Sequence, residues 1–274
     1  MVLGKIMPEL PEVQTVMDTL HHQIQDLVIT DVTVFYPKMI HAELESFIHT
    51  LKGNAFRRFE RRGKYLIFRM DTCTLVCHLR MEGRFYLQNP DDPINPHMHV
   101  IFDLSDGRQM RYMDTRKFGT MELFEADHCF DHFHDLGPEP FDEAFSASYI
   151  HAFRKGRTLP LKSLLLNQSF VAGIGNIYAD EILFACRLRP GRSCSRITKA
   201  DEEHLVSETR RILQEAIAAG GTTIRSYVSS LGVTGRFQLS CMVHTQKICR
   251  VCGCSIKVKT IGGRSSYYCP QCQK

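Results

Sequence analysis

The chain has no run of about 18 apolar residues, which excludes an ordinary membrane-spanning helix. Its first residues, MVLGKI, are too short and too little apolar for a secretory signal. Internal repeats and low-complexity tracts are missing too, so solenoid and disordered classes drop out. The most telling absence is acidic: after Glu215 no Asp or Glu occurs in the last 59 residues. That stretch carries eight basic groups, Arg225, Arg236, Lys247, Arg250, Lys257, Lys259, Arg264 and Lys274. Of 34 basic and 30 acidic residues in all, 26 and 30 remain before it, so the net +4 hides a near-neutral body and a basic tail. Such a tail suits a polyanion such as nucleic acid, the plainer alternative being a solvated basic face.

What is present fits two domains: 274 residues, 43% of them hydrophobic, can bury real cores. Four of the 11 cysteines form two Cys-x-x-Cys knuckles, Cys249/Cys252 and Cys269/Cys272, separated by sixteen residues. This spacing reads as one tetrahedral Zn²⁺ site, and four thiolates leave no open position, so the metal is structural. The other seven are scattered and odd in number, as expected of reduced core thiols in a cytoplasmic protein.

Pro11 to about Gln25 reads as a helix, with Val13, Val16, Met17, Leu20 and Ile24 at helical spacing. From Leu27 to Phe124 the pattern shifts to period-two runs: 28–35, 65–70, 74–79, 84–87, 99–104, 109–113 and 120–124. Beyond an irregular stretch containing Gly137-Pro138-Glu139-Pro140, helices are expected at 146–156, 160–168, 177–186 and 199–218. The last opens on a Thr198/Asp201 capping box, and a strand pair is expected between the knuckles. The expected fold is α+β: an N-terminal two-sheet β-sandwich with flanking helices, then a helical domain and a four-cysteine zinc finger.

Seven motifs occur in order: Met7-Pro8-Glu9-Leu10-Pro11-Glu12-Val13; Arg62-Gly63-Lys64-Tyr65-Leu66; His78-Leu79-Arg80-Met81-Glu82-Gly83; Asp114-Thr115-Arg116-Lys117-Phe118-Gly119; Leu136-Gly137-Pro138-Glu139-Pro140; Val171-Ala172-Gly173-Ile174-Gly175-Asn176-Ile177-Tyr178; and Gly263-Arg264-Ser265-Ser266-Tyr267-Tyr268-Cys269. From Met7 to Lys274 the chain resembles bacterial formamidopyrimidine-DNA glycosylase, the base-excision enzyme for oxidised purines such as 8-oxoguanine. The resemblance implies a helix–two-turn–helix unit in the helical domain. The division is then 1–6 as a non-native extension, 7–130 as the catalytic β-sandwich, 131–145 as linker, 146–240 as helix–two-turn–helix domain and 241–274 as zinc finger.

The resemblance makes Pro8 the nucleophile. Its nitrogen can attack C1′ and form a Schiff base only as a free amine, because a peptide nitrogen has its lone pair delocalised into the carbonyl. Translation is therefore expected to start at Met7, whose removal frees Pro8; trimming of the six-residue stub is the alternative. An early proline taken alone is mere chain punctuation. The resemblance assigns Glu9 the proton transfers that open the sugar, Lys64 a part in β-elimination, and Arg264 a grip on the lesion's phosphates with help in δ-elimination. Met81, Arg116 and Phe118 would fill the void left by the extruded nucleotide, whose flipping costs roughly a few kcal/mol. His97, Arg157 and Asn176 would anchor phosphates, the register at Arg157 being loose by one. Glu82, Thr223 and Tyr227 would touch the flipped purine. Taken singly, Met81 and Phe118 also suit a core, Lys64 a strand end and His97 a loop.

The implied partner is double-stranded DNA with oxidised bases or abasic sites, bound by a monomer in the bacterial cytoplasm, at the nucleoid when acting on DNA. One departure stands out: the run from Phe237 to Cys249 is short and has Val243-His244-Thr245-Gln246-Lys247-Ile248 where the family has Tyr-Gly-Arg-x-Gly-x-Pro. The hinge into the zinc hairpin is expected to differ. Two rival readings stay open: an endonuclease VIII-type glycosylase for oxidised pyrimidines, and a non-catalytic DNA-binding protein with Pro8 locked in an amide.

Overall fold

The computed structural model describes residues 7–126, 132–222 and 235–274. They form two compact units, one built from Met7, Pro8, residues 12–126 and 132–134 and Gly235, the other from 9–11, 135–222 and 236–274.

The first unit holds eight strands: β1 (Ile29–Val34), β2 (Phe56–Arg62), β3 (Tyr65–Met70), β4 (Cys73–His78), β5 (Arg84–Gln88), β6 (Met98–Leu104), β7 (Gln109–Met113) and β8 (Thr120–Glu125). They make two four-stranded sheets, ordered β1-β6-β7-β5 and β2-β3-β4-β8, with every pairing antiparallel. An aromatic pair joins the sheets: Phe68 of β3 meets Phe85 of β5 edge-on at 6.0 Å, and Phe85 in turn meets Tyr112 of β7 within its own sheet at 5.1 Å. Helix α1 (Leu10–Ile24) adds Val13, Val16, Met17, Leu20 and Ile24 to this core, each buried. Burying such a side chain stabilises the fold by roughly 1.5–3 kcal/mol.

Two elements escape the apolar pattern. Helix α2 (Leu44–Leu51) is short and starts on an unusual cap, the Glu43 carboxylate, which accepts from the backbone N–H of Glu45 at 3.0 Å and of Ser46 at 2.6 Å. Strand β2 reads Phe-Arg-Arg-Phe-Glu-Arg-Arg and lacks alternation. It is an edge strand, so its charges stay at the surface, where Arg57 pairs with Asp71 at 2.7 Å and Asp26 at 2.9 Å.

The second unit contains α3 (Ala147–Arg154), α4 (Leu161–Leu166), α5 (Asn176–Ala185), α6 (Lys199–Ala218) and the hairpin β9 (Lys257–Ile261)–β10 (Arg264–Tyr268). The capping box is made: the Asp201 N–H donates to Thr198 Oγ1 at 3.2 Å and the Thr198 N–H to Asp201 Oδ2 at 2.8 Å. Helix α5 is buried from Ile177 to Phe184, Asp180 and Glu181 included. A buried carboxylate needs partners, and these two organise the site.

Candidate functional site

In the first unit Pro8 is buried, and so is Lys64, which follows Gly63 in the tight β2–β3 turn. Gly63 has φ 55°, a left-handed backbone that glycine adopts without strain. Beside this turn stands His78, the last residue of β4. Its Nδ1 accepts the Arg80 N–H at 2.9 Å, and the Tyr65 ring meets it edge-on at 4.5 Å. Burial, then the Arg80 and Lys64 charges, push the His78 imidazolium down to about 3. The ring is therefore neutral wherever the protein works.

A stability prediction follows from that ring. Below pH about 6.5 the unfolded chain takes up a proton at His78 that the folded protein refuses, so stability falls as pH drops from about 6.5 towards 3. The slope is on the order of 1 kcal/mol per pH unit for this group. Urea midpoints measured from pH 7 to pH 4.5 should fall more steeply for the wild type than for His78→Gln; parallel curves would contradict the assignment.

Arg116 touches both Met81 and Phe118. Arg116 Nη1 lies 2.7 Å from Met81 Sδ, and its Cζ sits 4.6 Å from the Phe118 ring centroid. Phe118 is 51% exposed and Met81 half-buried, so neither is a core residue. Glu82, next to Met81, is half-buried. His97, also half-buried, ends the β5–β6 loop and donates its N–H to Asn95 Oδ1 at 2.9 Å. That loop is clamped by Arg111, wholly buried, whose guanidinium donates to the carbonyls of Asn89 and Asp92, each at 2.9 Å, and Pro90 at 3.1 Å. Thr223 and Tyr227 lie outside the described residues.

The second unit gathers Glu9, Asn176 and Arg264 around the start of α5. Glu9 is 2% exposed; its Oε1 accepts the Ile177 N–H at 2.9 Å and its Oε2 the Tyr178 N–H at 3.4 Å. The helix N-terminus thus holds a carboxylate of this chain. Glu9 thus occupies two of the amides that open α5. A Cβ on Gly175 would lie 2.2 Å from Glu9 Cδ, so only glycine lets the carboxylate approach. Asn176 Nδ2 donates to the Ser265 carbonyl at 3.0 Å, which ties the start of α5 to β10, where Arg264 is the exposed first residue. Arg157 is not part of this group: it is exposed, bonds the Phe153 carbonyl and stacks 4.4 Å over the Phe153 ring.

Sequence reasoning missed the network beneath. Lys162, fully buried, donates to the Asn176 carbonyl at 2.7 Å and to Asp180 Oδ1 at 2.5 Å. Burial holds its ammonium below the usual lysine range, against the opposing pull of Asp180. Asp180 Oδ2 meets His244 Nδ1 at 2.8 Å, and the His244 ring packs edge-on against Tyr267 of β10 at 4.9 Å. Glu181 accepts the N–H groups of Met242 at 2.7 Å, Val243 at 3.0 Å and His244 at 2.8 Å. The segment at 243–248 is thus tied to α5 through the Glu181 carboxylate and His244. The available signal was a lone lysine in the apolar run Leu161-Lys162-Ser163-Leu164-Leu165-Leu166.

The four knuckle thiols converge within 4.8 Å of one another. Cys249 and Cys272 Sγ are 3.8 Å apart, Cys252 and Cys269 Sγ 3.4 Å. Zn–S bonds of about 2.3 Å imply tetrahedral S–S edges of about 3.8 Å, so the donor set fits zinc. None of the described cysteines is in a disulfide. The hairpin's apolar support is small: Val243, Ile256 and Phe184 of α5, with Cys249 and Cys269 themselves. Removing the metal should therefore release the hairpin and Arg264 with it. DNA affinity should drop about 10- to 100-fold, the worth of one charge-assisted hydrogen bond. Chelator-treated protein assayed for zinc and by fluorescence anisotropy checks this; unchanged affinity at zero zinc would refute it.

A metal-held basic hairpin bonded to a helix start in the second unit, and an arginine–aromatic cluster with exposed Phe118 in the first, define a nucleic-acid-binding protein of two parts. Residues 7–121 match the formamidopyrimidine-DNA glycosylase N-terminal domain, 136–228 the H2TH domain of the same enzymes, and 247–274 the zinc finger found in FPG and IleRS. The formamidopyrimidine-DNA glycosylase of Shouchella clausii is 44% identical over 97% of this chain and 99% of its own. That of Oceanobacillus iheyensis is 41% identical over 97% and 98%. The Lactococcus lactis protein bound to N7-benzyl-Fapy-dG DNA superposes with a TM-score of 0.92 at 37% identity, covering 97% of this chain and 100% of that one. Its complex with abasic-site DNA gives 0.91 at 36%, covering 97% and 99%. The chain belongs to the formamidopyrimidine-DNA glycosylase family. No helix among the described residues is long and apolar enough to cross a membrane.

Proposed function

We propose that the protein is a bifunctional DNA glycosylase and abasic-site lyase that removes oxidised purines through a proline Schiff base. The observation carrying this reading is the buried Glu9 carboxylate, fixed by the N-terminus of α5 one peptide bond from Pro8. A secondary amine at Pro8 attacks C1′, the bond from C1′ to the base nitrogen breaks, and the base leaves. The proton lost from the amine passes to the Glu9 carboxylate; as the nitrogen lone pair then forms the iminium and the C1′–O4′ bond opens, Glu9 returns that proton to O4′, while the departing base takes one from water. Loss of a C2′ proton, aided by Lys64, expels the 3′ phosphate, and a second elimination expels the 5′ phosphate, gripped by Arg264. Arg264, Asn176, His97 and a basic group near Arg157 hold the backbone; Met81, Arg116 and Phe118 fill the gap in the stack, and Glu82 and the segment containing Thr223 and Tyr227 meet the flipped purine. Zinc supplies only the fixed shape of the hairpin. The protein acts as a monomer, in the cytoplasm, on nucleoid DNA.

Single-turnover incubation with an 8-oxoguanine or Fapy-dG duplex plus borohydride tests the reading. The expected product is a covalent protein–DNA adduct together with cleaved strand. An adduct formed faster on oxidised-pyrimidine duplexes would move the protein to the endonuclease VIII-type reading. No adduct from protein beginning at Pro8 would sink the enzyme altogether.

A further inference from the structure

Two residues at the end of β7 hold the whole void-filling cluster, yet neither reaches outward. Tyr112 lies in β7 and Asp114 just past its end, and both are buried. Tyr112 is 1% exposed, and its hydroxyl sits between two glycines: a Cβ on Gly83 would lie 2.1 Å from Oη, and one on Gly119 only 1.8 Å. Gly83 closes the loop carrying Met81, and Gly119 the loop carrying Arg116 and Phe118. One hydroxyl therefore sets the spacing of both loops.

Asp114, wholly buried, fixes the second loop from inside. Its Oδ1 accepts the Arg116 N–H at 2.9 Å; its Oδ2 accepts those of Phe118 at 2.9 Å and Gly119 at 2.8 Å. Between them Lys117 is held at φ 58°, left-handed backbone that an L residue rarely adopts unless held. The residue before Met81, Arg80, has φ 52°. The backbone of Asp114 reaches the DNA-facing histidine as well: its N–H donates to the His97 carbonyl at 2.9 Å, and its carbonyl accepts from His99 Nε2 at 2.9 Å. Arg116 is thus seated against both Met81 and Phe118 by the same loops that Tyr112 and Asp114 fix.

We infer that Tyr112 and Asp114 are positioning residues that preassemble Met81, Arg116 and Phe118 into one rigid wedge before the duplex is engaged. The inference rests on the reading of those three side chains as substitutes for the extruded nucleotide. It places Tyr112 and Asp114 in control of base extrusion and of discrimination at the opposite base, while the chemistry at C1′ does not depend on them. A wedge whose members had to be ordered during extrusion would add that ordering cost to the extrusion step.

The test compares two substrates: a lesion duplex, which requires extrusion, and a single-stranded oligonucleotide with a preformed abasic site, which does not. Asp114→Asn, matched to wild type in zinc content and circular dichroism, should lower single-turnover excision from the duplex about 10- to 100-fold, the cost of misplacing a working group by about 1 Å. Its lyase rate on the single strand should stay within about twofold. A 2-aminopurine opposite the lesion should lose its fluorescence change on binding. Equal falls on both substrates, or no fall on either, would overturn the inference. If Asp114→Asn does not fold, Tyr112→Phe, which deletes only the hydroxyl between the glycines, decides on the same pair by the same criterion. Failure of the parent reading looks different: wild type would not excise from the duplex, or Phe118→Ala would leave duplex excision untouched.

Discussion

Protein that keeps any residue ahead of Pro8 forms no borohydride-trapped adduct with lesion DNA, while protein beginning at Pro8 forms it readily. The expected difference is at least about a thousandfold, the scale of losing a covalent nucleophile. The reason is electronic. In a peptide bond the proline nitrogen shares its lone pair with the preceding carbonyl, and the planar amide has none to give C1′. As a chain terminus the same nitrogen is an amine with a reference pKa of about 7.7–8.0, so about a third is unprotonated near pH 7.5. Two preparations, one retaining Met1 to Ile6 and one opened at Pro8, are distinguished by intact mass and compared under borohydride. An adduct of equal yield from the longer form would refute the proline mechanism. It would not by itself refute DNA binding, which needs no free amine.

The strands most legible in the sequence were those with one face against the core. Tyr65–Met70 and Gln109–Met113 match their period-two runs residue for residue. The helix at 199–218 was equally plain, because its cap is local chemistry between Thr198 and Asp201. Cysteine spacing alone brought four thiols together. Strand β2 was invisible for a physical reason: an edge strand can keep arginines outward, so no apolar alternation marks it. The partners of Glu9 could not be read either, as the amides it needs lie 168 and 169 positions along the chain. Asp114 stood in plain view in Asp-Thr-Arg-Lys-Phe-Gly, but its role is to receive backbone groups, and nothing in residue type announces that. Lys162 and His244 show the same limit. Whether a charge is solvated or sealed against Asp180 is decided by packing, which the linear pattern does not contain.

Glu9→Gln should separate the two activities, cutting excision of an oxidised purine about 10²- to 10⁴-fold while leaving much of the lyase action on preformed abasic sites. The two reactions ask different things of this position. Releasing a base from an intact nucleoside requires the sugar ring to open as the iminium forms, and a proton must reach O4′ within that step. An abasic sugar already carries a free C1′ hydroxyl and equilibrates with the open aldehyde, so the proline amine meets a carbonyl that needs no such help. The structure sharpens the expectation because the substitution is nearly isosteric and the site cannot relax around it. Gly175 leaves no room behind the side chain, where even a methyl would lie 2.2 Å from Cδ. The N–H groups of Ile177 and Tyr178 still point at it. A glutamine offers them one carbonyl oxygen and turns an N–H₂ towards a donor, so the helix start loses an anion and gains a conflict worth about 1–2 kcal/mol. Denaturant midpoints therefore fall modestly, and the kinetic assays belong at temperatures well below that loss. Parallel loss of both activities in folded Glu9→Gln would mean that the carboxylate serves mainly to seat the chain start on α5. Excision lost with lyase retained would place the proton at O4′, and the ratio of the two rates is the quantity to measure.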